Sequence, residues 1–288
     1  MTIRIPFTYQ GSKAGELHHL AEFIPMCSAI VEPFIGTGIV SYHFGLDQRC
    51  IGNDLNRDVA SIWDLMCSRS KTDHNHFIEC IYSLLDEKNR TEKFYYEMRE
   101  LYNDHWKSDT WSIERSALFY YLMNACHAGM IRYGKNGFNS SFKLFLLNGR
   151  KFNRDDRIQL LKDVAKKFRY VDCMEAVTFL SDISQDGLDN YDVIYCDPPY
   201  TLSASNYIDQ WNNKKLLELD DYLAYLARRY DVYSVMSNYY NQDIAYQGKI
   251  ATVFEKKRMA STKITVSNNI IIMYGEPKKR NEGLEMFV

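Results

Sequence analysis

The stretch Ala29-Ile30-Val31-Glu32-Pro33-Phe34-Ile35-Gly36-Thr37-Gly38, continued by an apolar-rich segment over residues 39–46 and then by Cys50-Ile51-Gly52-Asn53-Asp54, decides the fold. Its spacing predicts strand, Gly-rich turn, helix and second strand. In an open α/β sheet that order puts the glycines at the mouth of a nucleotide-type site, where backbone without Cβ atoms can pass close beneath a ligand. The acidic Asp54 at the end of the second strand suits ribose hydroxyls. The third glycine of the dinucleotide fingerprint is missing, which disfavours NAD or FAD and leaves a smaller adenosyl cofactor.

A second stretch carries the chemistry. The apolar run Val193-Ile194-Tyr195-Cys196 leads into Asp197-Pro198-Pro199-Tyr200. Two prolines fix φ twice and remove two donors, so a strand must end there. What remains is a carboxylate, free carbonyls and an aromatic face. Such a corner accepts the protons of an NH2 group at Asp197 and the Pro198 carbonyl while a planar ring stacks on Tyr200. An Asp-capped surface turn has the same composition, so these four residues alone leave both readings open.

Outward from these stretches, residues 6–13 end in a Gly-Ser-Lys turn that opens a predicted helix over 16–23, whose N-terminus with Lys13 suits an anion or carboxylate. Residues 57–156 read as an insertion dominated by helical patterns over 59–66, 77–85, 94–106 and 113–126. They end in a hairpin signal at Asn136-Gly137. The hairpin region mixes Arg132, Lys135 and Lys143 with Met130, Tyr133, Phe138 and Phe142, a combination suited to phosphate contact, base-edge readout and wedging, though on its own more often found in a solvated hairpin. The α/β pattern then resumes: a helix over 158–168, a short strand ending at Asp172, a helix over 176–183, the strand before Asp197, a helix over 216–230, a strand over 233–238 and the apolar run 270–274. The cations Lys256, Lys257 and Arg258 suit either DNA backbone or a solvated face.

The chain has 288 residues, 46% hydrophobic and 25% charged, with a net charge of −2. No apolar run approaches the roughly 18 residues of a membrane span, and the start lacks a signal-peptide core, so a cytoplasmic protein is expected. Seven scattered cysteines without a C-x-x-C argue against a disulfide framework and a zinc site, and no metal is expected.

Taken together, Tyr9, Gly11 and Lys13, then Val31 to Gly38, then Asn53-Asp54, then Met130-Ile131-Arg132, then Asp197 to Tyr200 resemble, in that order, the Dam-type (D12 class) DNA adenine-N6 methyltransferases, most closely the phage branch. The resemblance implies a Rossmann-like S-adenosylmethionine-dependent methyltransferase sheet formed by residues 1–56 and 157–288. A mainly helical target-recognition insertion carrying a β-hairpin would occupy residues 57–156. It implies cofactor contacts from Tyr9, Lys13, Glu32, Pro33, Phe34, Gly36, Gly38, Asp54, Asp172 and Asp197, with S-adenosylhomocysteine as product. Asp197, Pro198, Pro199 and Tyr200 would act on an adenine flipped out of double-stranded DNA. Met130, Arg132, Asn136, Asn139 and Ser140 would meet DNA. The roles open to such an enzyme are restriction partner, phage self-protection and regulation. The stretch Ser140-Ser141-Phe142-Lys143 lacks the Pro-Phe-Gly of relatives that read GATC, so a GATC-like target is in question. An RNA adenine-N6 methyltransferase and a catalytically silent, cofactor-dependent DNA-binding protein are the competing readings.

Overall fold

The computed structural model describes residues 4–26, 28–143, 153–199, 211–260 and 263–277. Among these residues nine strands are formed: β1 Ile30–Glu32, β2 Cys50–Asn53, β3 Tyr133–Gly134, β4 Gly137–Phe138, β5 Phe168–Asp172, β6 Val193–Cys196, β7 Ser234–Tyr239, β8 Lys249–Ala260 and β9 Lys263–Tyr274. The α-helices are α1 Leu17–Leu20, α2 Ile39–Phe44, α3 Arg57–Cys67, α4 Lys71–Leu84, α5 Glu92–Lys107, α6 Ile113–Ala125, α7 Arg154–Ala165, α8 Ala176–Asp186 and α9 Asn213–Tyr230.

Seven strands make one sheet in the order β5-β2-β1-β6-β7-β9-β8. The first five run parallel and β9 and β8 antiparallel, which is the mixed, doubly wound α/β arrangement expected from the opening stretch. Side chains alternate between the two faces as a strand requires. Ile30, Cys50, Val193, Tyr195 and Val235 enter one core. Val31, Ile51, Ile194, Cys196 and Met236 enter the other, beneath α8 and α9. The first core does not stop at the sheet. It runs from Phe7 and Phe168 through Trp63 to Phe77, Tyr120 and Tyr121, so the helical insertion shares its apolar interior with one face of the sheet. Helix α3 bridges the two, packing on both β5 and α6.

The chain moves outward from β1 to β2 and β5, then returns to β6 on the other side of β1. The strand order therefore reverses between β1 and β6, and a crevice opens at the carboxyl ends there. Both motifs arrive at this point: Glu32 ends β1 and Asp197 follows β6.

Three elements differ from the sequence-based expectation. The predicted helix over 16–23 is a 3-10 turn, Lys13–Gly15, and the four-residue α1. Its lysine turns inward, where it meets the Asp197 carboxylate. Strand β8 was not expected, because its alternation is broken by a bulge between Ile250 and Thr252 and its outer half is charged, as befits an edge strand. Its partner β9 joins the separate segments around residues 264–266 and 270–274 into one strand.

Candidate functional site

A cavity of about 260 Å³ occupies the crevice. Its walls come from four places in the chain: Tyr9 to Lys13, Glu32 to Thr37, Asn53 to Leu55, and Tyr195 with Asp197, Pro198 and Pro199. Ile39 and Val40 of α2, with Met174, Glu175, Ala176, Trp211 and Lys215, complete them. Tyr200 lies outside the described residues.

Short local hydrogen bonds explain why these segments hold their shape. The Ser41 amide donates to Glu32 Oε1 at 2.8 Å, so the strand-end glutamate caps the first turn of α2 from across the Gly-rich loop. The Gly36 amide donates to Asp54 Oδ2 at 3.1 Å, and the Asn56 amide to Oδ1 at 2.9 Å. The fully buried Asn53 donates to the carbonyls of Pro33 and Met174, both at 3.0 Å, and accepts from the Met174 amide at 2.9 Å. The Asn-Asp pair thus clamps three loops into one wall, a function the sequence does not reveal because the partners in the Gly-rich turn and at Met174 lie 18 to 121 residues away.

Two expected cofactor residues stand elsewhere. Gly38 adopts φ 62°, and a Cβ there would sit 2.9 Å from Val164 Cγ1 on α7, so this glycine lets α2 pack against its neighbours and does not line the cavity. Asp172 is also absent from the lining. Its carboxyl is raised by partial burial and by Asp64 and Asp182, while the segment just after it, Met174 to Ala176, supplies the wall.

At the floor, Lys13 Nζ meets Asp197 Oδ2 at 2.5 Å, with side-chain exposures of 3% and 18%. Burial raises the Asp197 carboxyl above the usual carboxylate range, and the Lys13 ammonium opposes that rise. Behind this pair, Glu16 is held below its ordinary value despite burial by Lys13 and by Lys256, which reaches it from β8. Asn269 of β9 also donates to Glu16, at 3.3 Å. Two ion pairs therefore stand in series beneath the corner after β6.

Glu32 and Asp54 are different. Burial carries Glu32 up to about 7, against the bond from Ser41 and with some help from Asp197, and burial carries Asp54 up to about 6. A carboxyl raised on folding keeps its proton at a pH where the unfolded chain has lost it. Its full stabilisation is present below the ordinary value near 4.5 and is lost as pH rises through about 7. Between pH 5 and 8 the parent protein is expected to lose about 3 kcal/mol more stability than Glu32→Gln. Denaturant midpoints at both pH values check this, and parallel profiles for the two proteins would contradict it.

On the far side of the insertion, β3 and β4 form the expected hairpin, closed at its base by the bridge from Cys126 to Phe142. Gly137 follows the turn at φ 105°. Arg132 donates from Nε to Asn139 Oδ1 at 2.6 Å and from Nη2 to the Asn139 carbonyl at 3.2 Å, so the pair is locked together on the exposed face. Met130 is 45% exposed and Asn136 is exposed at the turn. Ser140 is buried, its hydroxyl donating to the Met130 carbonyl at 2.5 Å, which removes it from the surface expected to meet DNA. The hairpin's base is pinned to the cavity wall: Gly129 has φ 62°, and a Cβ there would lie 2.5 Å from the Thr8 backbone, one residue from Tyr9.

Among the described residues no helix is long and apolar enough to cross a membrane. Nor is any group of three or more His, Cys, Asp or Glu side chains arranged to hold a metal ion. The six described cysteines are free thiols.

Comparison with known proteins agrees with the motif order. A family model described as D12 class N6 adenine-specific DNA methyltransferase matches residues 9–268. The type II methyltransferase M.CviBI of Paramecium bursaria Chlorella virus NC1A is 26% identical over 206 residues, covering 69% of this chain and 70% of that protein. The DNA adenine methylase of Escherichia coli (strain K12) is 27% identical over 225 residues, covering 76% and 73%. That of Serratia marcescens is 25% identical over 273 residues, covering 91% and 92%.

Proposed function

Because the chain belongs to the D12 class of N6 adenine-specific DNA methyltransferases, we propose that the corner after β6 carries its methyl transfer and that the β3–β4 hairpin chooses its site. The single observation behind this reading is that Asp197 and Pro198 share one cavity with the Glu32-to-Thr37 turn, at the point where the strand order reverses. Acceptor and methyl donor need such a common chamber.

The lining fits S-adenosylmethionine. Carboxyl groups at Glu32 and Asp54 suit its ammonium and hydroxyl groups, Lys13 brings a cation, and Tyr9, Pro33, Phe34 and Ile35 offer flat and apolar surface. The Gly36 backbone permits close approach. When bound, the cofactor supplies an electrophilic sulfonium methyl and leaves as S-adenosylhomocysteine.

The protein's task is to make a poor nucleophile attack. The lone pair of an adenine amino group is delocalised into the ring. Asp197 and the Pro198 carbonyl, accepting its two protons, favour a pyramidal nitrogen whose lone pair points outward, and they disperse the positive charge that develops. Lys13, bonded to Asp197, opposes the rise that burial imposes on its carboxyl and so favours the charged form for that role. The target base is engaged in the duplex until it is flipped, which costs a few kcal/mol. Met130 is exposed and follows Gly129, whose backbone packs on Thr8 next to the cavity-lining Tyr9, and it suits the vacated space. Residues 57–156 supply the recognition part, with α3 shared between it and the catalytic sheet.

Arg132, with its fork oriented by Asn139, is the leading base-reading side chain, and Asn136 at the turn is the second. Arg132→Ala is expected to cut discrimination between the preferred site and single-base variants by about 10- to 100-fold, with cofactor affinity unchanged. Labelled methyl transfer from S-adenosylmethionine to duplex oligonucleotides tests both levels. N6-methyladenine in DNA from the parent protein supports the reading and its absence overturns it. Equal loss on every sequence in Arg132→Ala would remove this residue from base recognition.

A further inference from the structure

A line of buried polar groups joins the cavity wall to the hairpin. Asp58, on the first turn of α3, receives both nitrogens of a two-point contact from Arg115 on α6, Nε to Oδ1 at 2.8 Å and Nη2 to Oδ2 at 3.1 Å. Its Oδ2 also accepts the Tyr102 hydroxyl from α5 at 2.7 Å. The Tyr102 and Tyr133 hydroxyls stand 2.7 Å apart, and Tyr133 is the first residue of β3, next to Arg132. On the other side, the Asp58 amide donates to Asn56 Oδ1 at 3.1 Å and the Asn56 amide to Asp54 Oδ1 at 2.9 Å. Asp58 and Arg115 have side-chain exposures of 5% each.

We propose that Tyr133, Tyr102, Asp58 and Arg115 form a polar strut that sets the hairpin's position relative to the cavity wall at Asp54, making them positioning residues for site discrimination. This rests on the hairpin being the DNA-reading element.

The physical case turns on what apolar packing leaves loose. Tyr133 stacks on Trp106 with centroids 5.6 Å apart and planes 24° apart, and an offset stack can slide with little loss. Hydrogen bonds have a length and a direction, so the hydroxyl contact fixes where the ring stops. A buried ion pair is also a poor way to gain stability, since well-packed apolar residues of similar volume commonly serve as well. What the Asp58–Arg115 pair adds is a unique geometry, and Tyr102 passes it to the β3–β4 hairpin, with Arg132 just before β3 and Asn136 in the turn. The sequence holds no trace of the strut, because its members are 31 to 57 residues apart.

The test uses Tyr133→Phe, which deletes one hydroxyl and keeps the stack on Trp106, and Tyr102→Phe, which deletes the link to Asp58. Unmethylated genomic DNA from a methylation-free host is treated with S-adenosylmethionine and each protein, then sequenced with modified-base detection. Each variant is expected to lower the ratio of motif to off-motif N6-methyladenine by about tenfold, and the double variant to be no worse than the poorer single one, as for residues acting through one line. Cofactor affinity is expected to stay within about twofold and the melting temperature within a few degrees. An unchanged ratio in both variants, or additive effects in the double variant, overturns the strut. A parent protein that leaves no N6-methyladenine instead overturns the enzymatic reading on which it stands.

Discussion

Asp197→Ala is expected to reduce single-turnover methyl transfer by about a thousandfold at saturating S-adenosylmethionine. Removing one preorganised group aimed at developing charge costs about 10²- to 10³-fold in comparable sites, and here the same substitution also strips Lys13 of its partner. Asp197→Asn keeps an acceptor oxygen but loses the charge, and is expected to fall between the parent and the alanine variant. Incorporation of labelled methyl into unmethylated duplex DNA reads the effect directly. Parent-like rates in Asp197→Ala would remove the residue from the mechanism.

The second large effect concerns Lys13. Burial raises Asp197 and Lys13 restrains that rise, so Lys13→Met is expected to push the carboxyl further up. The acidic limb of the kcat profile is then expected to move to higher pH, with a loss of about a hundredfold on that limb that shrinks as the medium becomes more alkaline. The variant also leaves a carboxylate buried without its cation, which costs about 3–5 kcal/mol in such pairs, so thermal unfolding should be recorded alongside. A limb that stays in place while the rate falls uniformly would assign Lys13 to cofactor binding alone.

Both expectations grow from features that were legible in the sequence to different degrees. The strand, turn, helix and strand around Glu32 to Asp54 were readable because each element is local and its apolar residues keep their own period. The Asp197-Pro198 corner was readable because two prolines can only end a strand, and Asn136-Gly137 announced its hairpin for a similarly local reason. Misplaced expectations involve partners distant in sequence. Gly38 belongs to the α2–α7 contact because Val164 is there to be avoided, and Ser140 turns inward because the Met130 carbonyl offers a bond. Neither neighbour can be inferred from spacing.

The residues that sequence reading missed have the same character. Trp211, packed edge-on to Phe34 at 5.4 Å, and Lys215 line the cavity from the start of α9, yet neither sits in a motif. Met174 to Ala176 replace Asp172 at the wall because the β5 chain turns there under the clamp of Asn53. Strand β8 hides behind its bulge and its charges, although Lys256 from it supports Glu16 beneath the Lys13–Asp197 pair.

The most direct measurement is modified-base sequencing of DNA from a methylation-free host expressing either the parent protein or Asp197→Ala. N6-methyladenine confined to one short sequence motif in the parent, and absent in the variant despite retained cofactor binding by the purified protein, is the predicted result. Methylated adenine at the same motif and the same level in both would contradict the account of the corner after β6.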